Sequence, residues 1–184
     1  DPSGGAALEK LALNGDDQCF AFTVPLLRKK TCDFSFAGLK TSVRLAIEKK
    51  VAALSDEGKV DGLMVEVLDQ EWKADVAASF QRVAVQHLVD RCSRAIEWTK
   101  ETHPDIQHLV VAGGVASNKY LRGQLTNVTD RHGMELVCPP PRYCTDNGVM
   151  VAWAGVERLN LGIGVENPAK TAELEEGEWL DLRP

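Results

Sequence analysis

The sequence predicts an α/β domain in which helices cover paired parallel strands. Three observations lead there. The apolar run HLVVAGG, His108 to Gly114, is followed by a helical pattern from about Ser117. A second apolar run, MELVCP at Met134 to Pro139, is followed by a last helical pattern from about Asp146 to Leu161. Strand, helix, strand and helix in succession make neighbouring strands parallel. Finally, 184 residues of which 44% are hydrophobic can bury the core of one domain.

Taken in order, GGAALEKLALNG at residues 4–15 has a helical pattern closed by Gly15, a residue favoured just past a helix end. CFAFTVPL at residues 19–26 alternates Phe20, Phe22 and Val24 on one side, as a strand does. FAGLKTSVRLAIEKKVAAL, residues 36–54, is helical in pattern, and the polar SDEGKVDG that follows it at residues 55–62 is expected to be a mobile loop. The longest periodic stretch runs from Gln70 to Glu101. There Val76, Phe80, Val83, Ala84, His87 and Leu88 recur at helical spacing and form one apolar stripe. His87 lies on that stripe and reads as a satisfied core histidine. Pro104 ends the helix, and HLVVAGG suits a buried parallel strand. Residues 163–184 are acidic and weakly patterned, a C-terminal tail.

The formal charge of −6 argues against a surface devoted to nucleic-acid phosphate. Local patches stay open at Arg28 to Lys30, and at Lys40 with Arg44 one helical turn on; solvated helix and loop faces account for them equally. The five cysteines are scattered with no C-x-x-C pair, a pattern of reduced thiols in an intracellular protein. No apolar run is long enough to span a bilayer, so membrane insertion is not expected. The chain starts at Asp1 and reads as a piece of a longer one, with any targeting segment upstream.

Three constellations carry chemistry. Gly113 and Gly114 follow a strand, where α/β sheets bind ligands and where a backbone without Cβ atoms lets a flat or charged group approach. Ser117 or Asn118 can cap the next helix, whose free N–H groups suit an anion. A Walker lysine and the third Rossmann glycine are both missing, and a tight strand-to-helix turn explains the same residues. In CPPPRYCTDNGVMVAW, Pro139 to Pro141 form a stiff connection that delivers Asp146 to a helix start. That carboxylate is either a cap or one ligand of a metal. In DFSFAGLKTS, Asp33, Ser35 and Lys40 offer an acceptor, a hydroxyl and a cation around Gly38; the alternative is a helix start pinned by Phe34 and Phe36.

DFSFAGLKT, AGGVASNKYLR and CTDNGVMVAW, in this order and at these distances, resemble the TsaD family of tRNA threonylcarbamoyladenosine synthases. SGGAALEKLA resembles the family's Pro-Gly-Gly segment, and CPPPR with Trp153 is similar to its mitochondrial branch. The resemblance implies an actin-like, Hsp70-like ATPase fold (RNase H-like) of two lobes around a nucleotide cleft. This chain would be a partial second lobe, the first lobe missing. The implied reaction moves a threonylcarbamoyl group from threonylcarbamoyl-AMP to N6 of the adenine beside the anticodon of ANN-decoding tRNAs.

By motif, Gly5 and Asn118 would bind the adenylate, Gly113 and Gly114 would form its close backbone floor, and Ser35 and Lys40 would face the ligand. Asp146 would be the catalytic ligand of one divalent metal, iron or zinc. The family's His-x-x-x-His and Ser-Gly-Gly-His-Thr segments do not occur in this sequence, so the chain alone is expected to be inactive. A homodimer is left open. Mitochondria are the expected location, with plastid or cytoplasm as alternatives. Other readings are a non-catalytic module that binds the full enzyme, a small-molecule kinase, and a metallopeptidase. The last lacks H-E-x-x-H.

Overall fold

The organising element is a 33-residue helix. In the computed structural model, which describes residues 4–54, 68–140, 143–144 and 148–163, the apolar periodicity after Asp69 becomes a single helix, Gln70–Thr102. At 1.5 Å per residue it is about 50 Å long. The Asp69 carboxylate starts it by accepting the Trp72 N–H at 2.6 Å. Every other element of residues 1–144, a compact unit, is best described by how it meets this helix.

The first helix, α1 (Gly4–Ala12), lays Leu8, Leu11 and Ala12 on Ala77 and Ala78 of the long helix. The small alanines let the two backbones come close. Gly15 closes that approach, since a Cβ there would lie 2.1 Å from the Ala74 carbonyl oxygen. The second helix, α2 (Ala37–Leu54), buries Leu39 and Val51. The long helix is α3. The segment expected as a mobile loop, residues 55–62, lies outside the described residues.

Residues 19–26 do not form the expected strand. Among the described residues no neighbouring strand pairs with them, and α3 side chains take their polar groups instead. Ser79 Oγ accepts the Phe20 N–H at 3.1 Å and donates to the Asp16 carbonyl at 3.3 Å. Arg82 donates to the Asp17 and Phe20 carbonyls. The alternating aromatics serve packing rather than a sheet, with Phe20 and Phe22 stacked at 5.5 Å and Trp72 edge-on to Phe20.

Further along α3, Arg91 is 1% exposed and donates to the Leu26, Lys29 and Thr31 carbonyls. Leu26 adopts a positive φ of 51°, a conformation non-glycine residues rarely hold. The guanidinium on its carbonyl helps to stabilise that turn. One turn before Arg91, the fully buried His87 accepts the Ser35 N–H on Nε2 at 3.3 Å, between the rings of Phe34 and Phe36. The core-histidine expectation is met at Nε2, whereas Nδ1 reaches no partner in good hydrogen-bond geometry and the Pro25 carbonyl acts on the ring only weakly. Burial, and then the Arg91 guanidinium, push its imidazole below the usual value of 6.5, against opposing pulls from Asp90 and the Pro25 carbonyl.

At the other end of the unit, β1 (His108–Val110) pairs in parallel with β2 (Glu135–Val137), in the register His108 to Glu135 and Val110 to Val137. Helix α4 (Lys119–Arg131) links them and packs Leu121, Leu125 and Val128 against α3 and the sheet. The strand is not buried on both sides as expected. Leu109 and Leu136 face the helices, whereas Val110 is 66% exposed and Val137 38%. With two strands and helices against one face, only alternate residues are covered. A second unit, residues 145–184, contains α5 (Gly148–Asn160). It begins two residues after Asp146, which lies outside the described residues along with residues 164–184 of the expected tail.

Replacing Arg91 by Met should cost about 3 kcal/mol or more, because three buried carbonyls lose their donor. A thermal melt should fall by roughly 6–12 °C for a chain of this size. An unchanged melting temperature would show that Arg91 does not hold the 25–32 turn. The neutral His87 contributes stability that is complete above its unfolded value near pH 6.5 and is lost as the pH falls through its lower folded value. Urea midpoints across that window should drop for the wild type and drop less for His87→Gln.

Candidate functional site

The turn between β1 and α4 is built by its own hydrogen bonds. Gly113 takes φ 97°, open only to glycine at low cost, and its carbonyl accepts the Ala116 N–H at 2.9 Å. A 3₁₀ turn, Gly114–Ser117, follows, which delays the expected helix start to Lys119. Ser117 Oγ donates to the Gly114 carbonyl at 2.7 Å, so the cap falls to Asn118. Its Oδ1 accepts the Leu121 N–H at 2.8 Å and its Nδ2 donates to Gln81 Oε1 on α3 at 3.0 Å. The space over Gly113 and Gly114 is open, since a Cβ on either would meet nothing within 4 Å.

Glu9 of α1 reaches this turn. Its carboxylate accepts the Lys119 N–H at 2.7 Å, where the α4 dipole and free amides favour negative charge. Two segments 110 residues apart are thereby joined. Between them lies a cleft of about 630 Å³ lined by Glu9, Lys10, Asp17, Gln81, Lys119 and Tyr120. Burial, and then the Asp17 carboxylate, push the Tyr120 phenol up, which keeps it a neutral hydroxyl near pH 7. Arg122 ties in the loop after β2. It donates to the Ala116 carbonyl and, at 3.2 Å, to the Pro139 carbonyl, with Cys144 Sγ at 3.7 Å. The turns that leave the carboxyl ends of both strands are therefore held by one side chain.

The structure brings some of the expected site residues together and separates others. Gly5 lies one turn before Glu9 on the same face of α1, and Asn118 stands at the end of α4 that Glu9 contacts, although neither they nor Gly113 and Gly114 line the cleft itself. Ser35 and Lys40 are elsewhere. Ser35 gives its N–H to His87, and Lys40 lines a separate groove of about 500 Å³ with Arg44, Trp72 and Phe80. Helix α1 divides the two, turning Glu9 and Lys10 to the cleft and Leu8 and Leu11 to the groove. Asp146 lies outside the described residues. Among those residues no three His, Cys, Asp or Glu side chains gather to hold a metal ion. Glu9, Gln81 and Arg122 were missed by sequence reasoning. Only the i, i+4 spacing of Gly5 and Glu9 hinted at the first.

Comparison with known proteins bears on this arrangement directly. The family model described as "TsaD: tRNA N6-adenosine threonylcarbamoyltransferase" matches residues 1–153. The chain belongs to the TsaD family. It is similar to an Arabidopsis thaliana protein named "Probable tRNA N6-adenosine threonylcarbamoyltransferase, mitochondrial", at 50% identity over 99% of this chain and 37% of that protein. A Xenopus tropicalis relative of the same name, without "Probable", is 43% identical over 92% of this chain and 41% of its own length. A Gluconobacter oxydans tRNA N6-adenosine threonylcarbamoyltransferase is 45% identical over 86% and 40%. The chain thus spans about 40% of the length of the curated relatives it matches. The cleft, the AGG turn and the Pro139 connection all fall within the residues that the TsaD model covers.

Asn118 is a structural cap as well as a candidate ligand. Asn118→Ala should cost about 1 kcal/mol through loss of the cap, whereas Asn118→Asp keeps an acceptor for Leu121 and loses only the donor to Gln81. Chemical denaturation of the two variants checks this; equal losses would mean that the cap contributes nothing.

Proposed function

We propose that the protein transfers a threonylcarbamoyl group from threonylcarbamoyl-AMP to N6 of the adenosine beside the anticodon of ANN-decoding tRNAs. The observation that carries this reading is the meeting of two family segments at one cleft: GGAALEK, through Glu9, contacts the first amide of the helix that follows AGGVASN at 2.7 Å. The names of the relatives support transfer of a threonylcarbamoyl group to N6 of a tRNA adenosine, and the threonylcarbamoyl-AMP donor is what the family resemblance implies.

In this reading the backbone at Gly113 and Gly114 lets the adenosine lie close, and Asn118 presents its amide edge beside it. Gly5 leaves room for the threonylcarbamoyl end. The N6 amine attacks the carbonyl carbon as AMP leaves; the first α4 amide is already taken by the Glu9 carboxylate, so Lys10 and Lys119 are the cations of the cleft available to the leaving phosphate. These residues bind and orient; the amine's proton must be taken by a group outside the described set. Asp146 is proposed as this chain's contribution to the site of one divalent ion, iron or zinc, which would polarise the carbonyl when bound. Ser35 and Lys40 are not given an adenylate role, because Ser35 is held at His87 and Lys40 lies across α1 from the cleft. The actin-like, Hsp70-like architecture is part of the same proposal. The small parallel sheet with helices on one face is compatible with part of such a lobe. Mitochondrial residence is proposed on the names of the Arabidopsis, Xenopus and Danio rerio relatives.

The test is nucleoside mass spectrometry of tRNA from cells lacking their own transferase. Cells expressing this chain joined to the remaining part of a relative should regain threonylcarbamoyladenosine, and cells expressing the chain alone should not. Absence of the modified nucleoside from both would overturn the proposal, and restoration by the chain alone would overturn its dependence on the rest of the relatives' length.

A further inference from the structure

Residues 28–44 carry five cations, Arg28, Lys29, Lys30, Lys40 and Arg44, against one acid, Asp33, in a chain whose net charge is −6. All five cations are exposed. Among the described residues the first four form no ion pair, and Arg44 meets only Glu48 at 3.5 Å on the same exposed helix face. An exposed i, i+4 pair of this kind neutralises little.

The charges are also placed. Arg91 draws the carbonyls of Leu26, Lys29 and Thr31 inward, so the backbone of the turn is fixed while the side chains of residues 28–30 remain exposed. Ser35 is fixed to His87, one turn nearer the start of α3. Lys40 and Arg44 then open onto Trp72, Val76 and Phe80. The segment therefore runs alongside α3 from the level of Arg91 back towards Trp72, and its cations are spread over roughly 16–28 Å of the helix axis. Phe34, 55% exposed, stands between the two groups of cations. Exposed cations in a line, only Arg44 of them in an ion pair among the described residues, on a backbone held from beneath and interrupted by an exposed ring, form a platform for a phosphate chain with an unstacked base.

We infer that residues 28–44 form an RNA-docking strip that contacts backbone phosphates of the tRNA at a distance from the Glu9–Asn118 cleft. The inference rests on the proposed function for the identity of the RNA. It differs from that proposal in requiring no catalysis and no sequence readout. Leu27, 56% exposed beside Arg28, makes an anionic membrane the competing partner.

The test is fluorescence anisotropy of the full chain with two unmodified tRNA transcripts, one that reads an ANN codon and one that does not, over a series of salt concentrations. The triple variant Arg28→Gln, Lys29→Gln, Lys30→Gln should lose roughly tenfold to hundredfold in affinity for both transcripts alike. Its plot of log affinity against log salt should flatten by about 2–3. Lys40→Gln with Arg44→Gln should act in the same direction. Circular dichroism checks that each variant is folded, which the exposure of these side chains favours. Affinity and slope equal to wild type would overturn the strip, as would a loss confined to the ANN transcript or to vesicles of anionic phospholipid. Because this readout is binding alone, the strip can stand if no threonylcarbamoyladenosine is made, and can fall if it is.

Discussion

Backbone N–H and carbonyl groups that no strand pairs must find partners elsewhere, and in this protein they find them on one helix. Ser79, Arg82, His87 and Arg91 descend α3 and bind the irregular chain from Asp16 to Ser35. A non-repetitive segment packed on a helix is tolerable only when the polar groups it turns inward are met. Arg91 is the extreme case, with its charge shared among three carbonyls and, among the described residues, only the partly exposed Asp90, at 3.6 Å, as an ionic neighbour. Because a guanidinium is planar and has five donors, it can collect a turn in a way that a lysine cannot.

The consequences spread in both directions along α3. Towards its start, the same helix offers alanines for α1 and a groove floor for α2; towards its end, it offers Val85, Val89 and Ile96 to α4 and the sheet. The cleft exists because α1 and α4 stand on neighbouring parts of this one support. Gln81, between Ser79 and Arg82, belongs to both systems, since it reaches Asn118 while its neighbours hold the loop.

Much of this was legible in the sequence. Periodicity placed α2 and α3, and the glycines with Asn118 marked the strand-to-helix turn. The error at residues 19–26 has a clear cause: alternating aromatics signal a half-buried extended chain, and pairing depends on whether another strand is available. The exposed face of β1 has a similar origin, because an apolar run says that a strand can be buried and not how many layers cover it. Asn118 was legible as a cap, but its bond to Gln81 was not, nor was the contact of Glu9 with Lys119. Both are long-range and leave no periodic trace. Ser35 and Lys40 shared a motif with a family site, yet adjacency in sequence did not carry them to the cleft, since His87 holds Ser35 and α1 stands between the cleft and Lys40.

The contact between Glu9 and Lys119 also bears on how the protein comes to exist. Closing a free loop of 110 residues costs about 4 kcal/mol by (3/2)RT ln n, and one hydrogen bond to a charged group returns only about 1.5–3. That bond cannot organise the chain on its own. It can form cheaply only after α3 has taken α1 on one side and α4 on the other, which divides the long closure into shorter ones. The site is then the last feature to assemble and the first to open. On a ribosome it stays unmade until α4 has emerged, so no shorter nascent chain can close the Glu9–Lys119 contact.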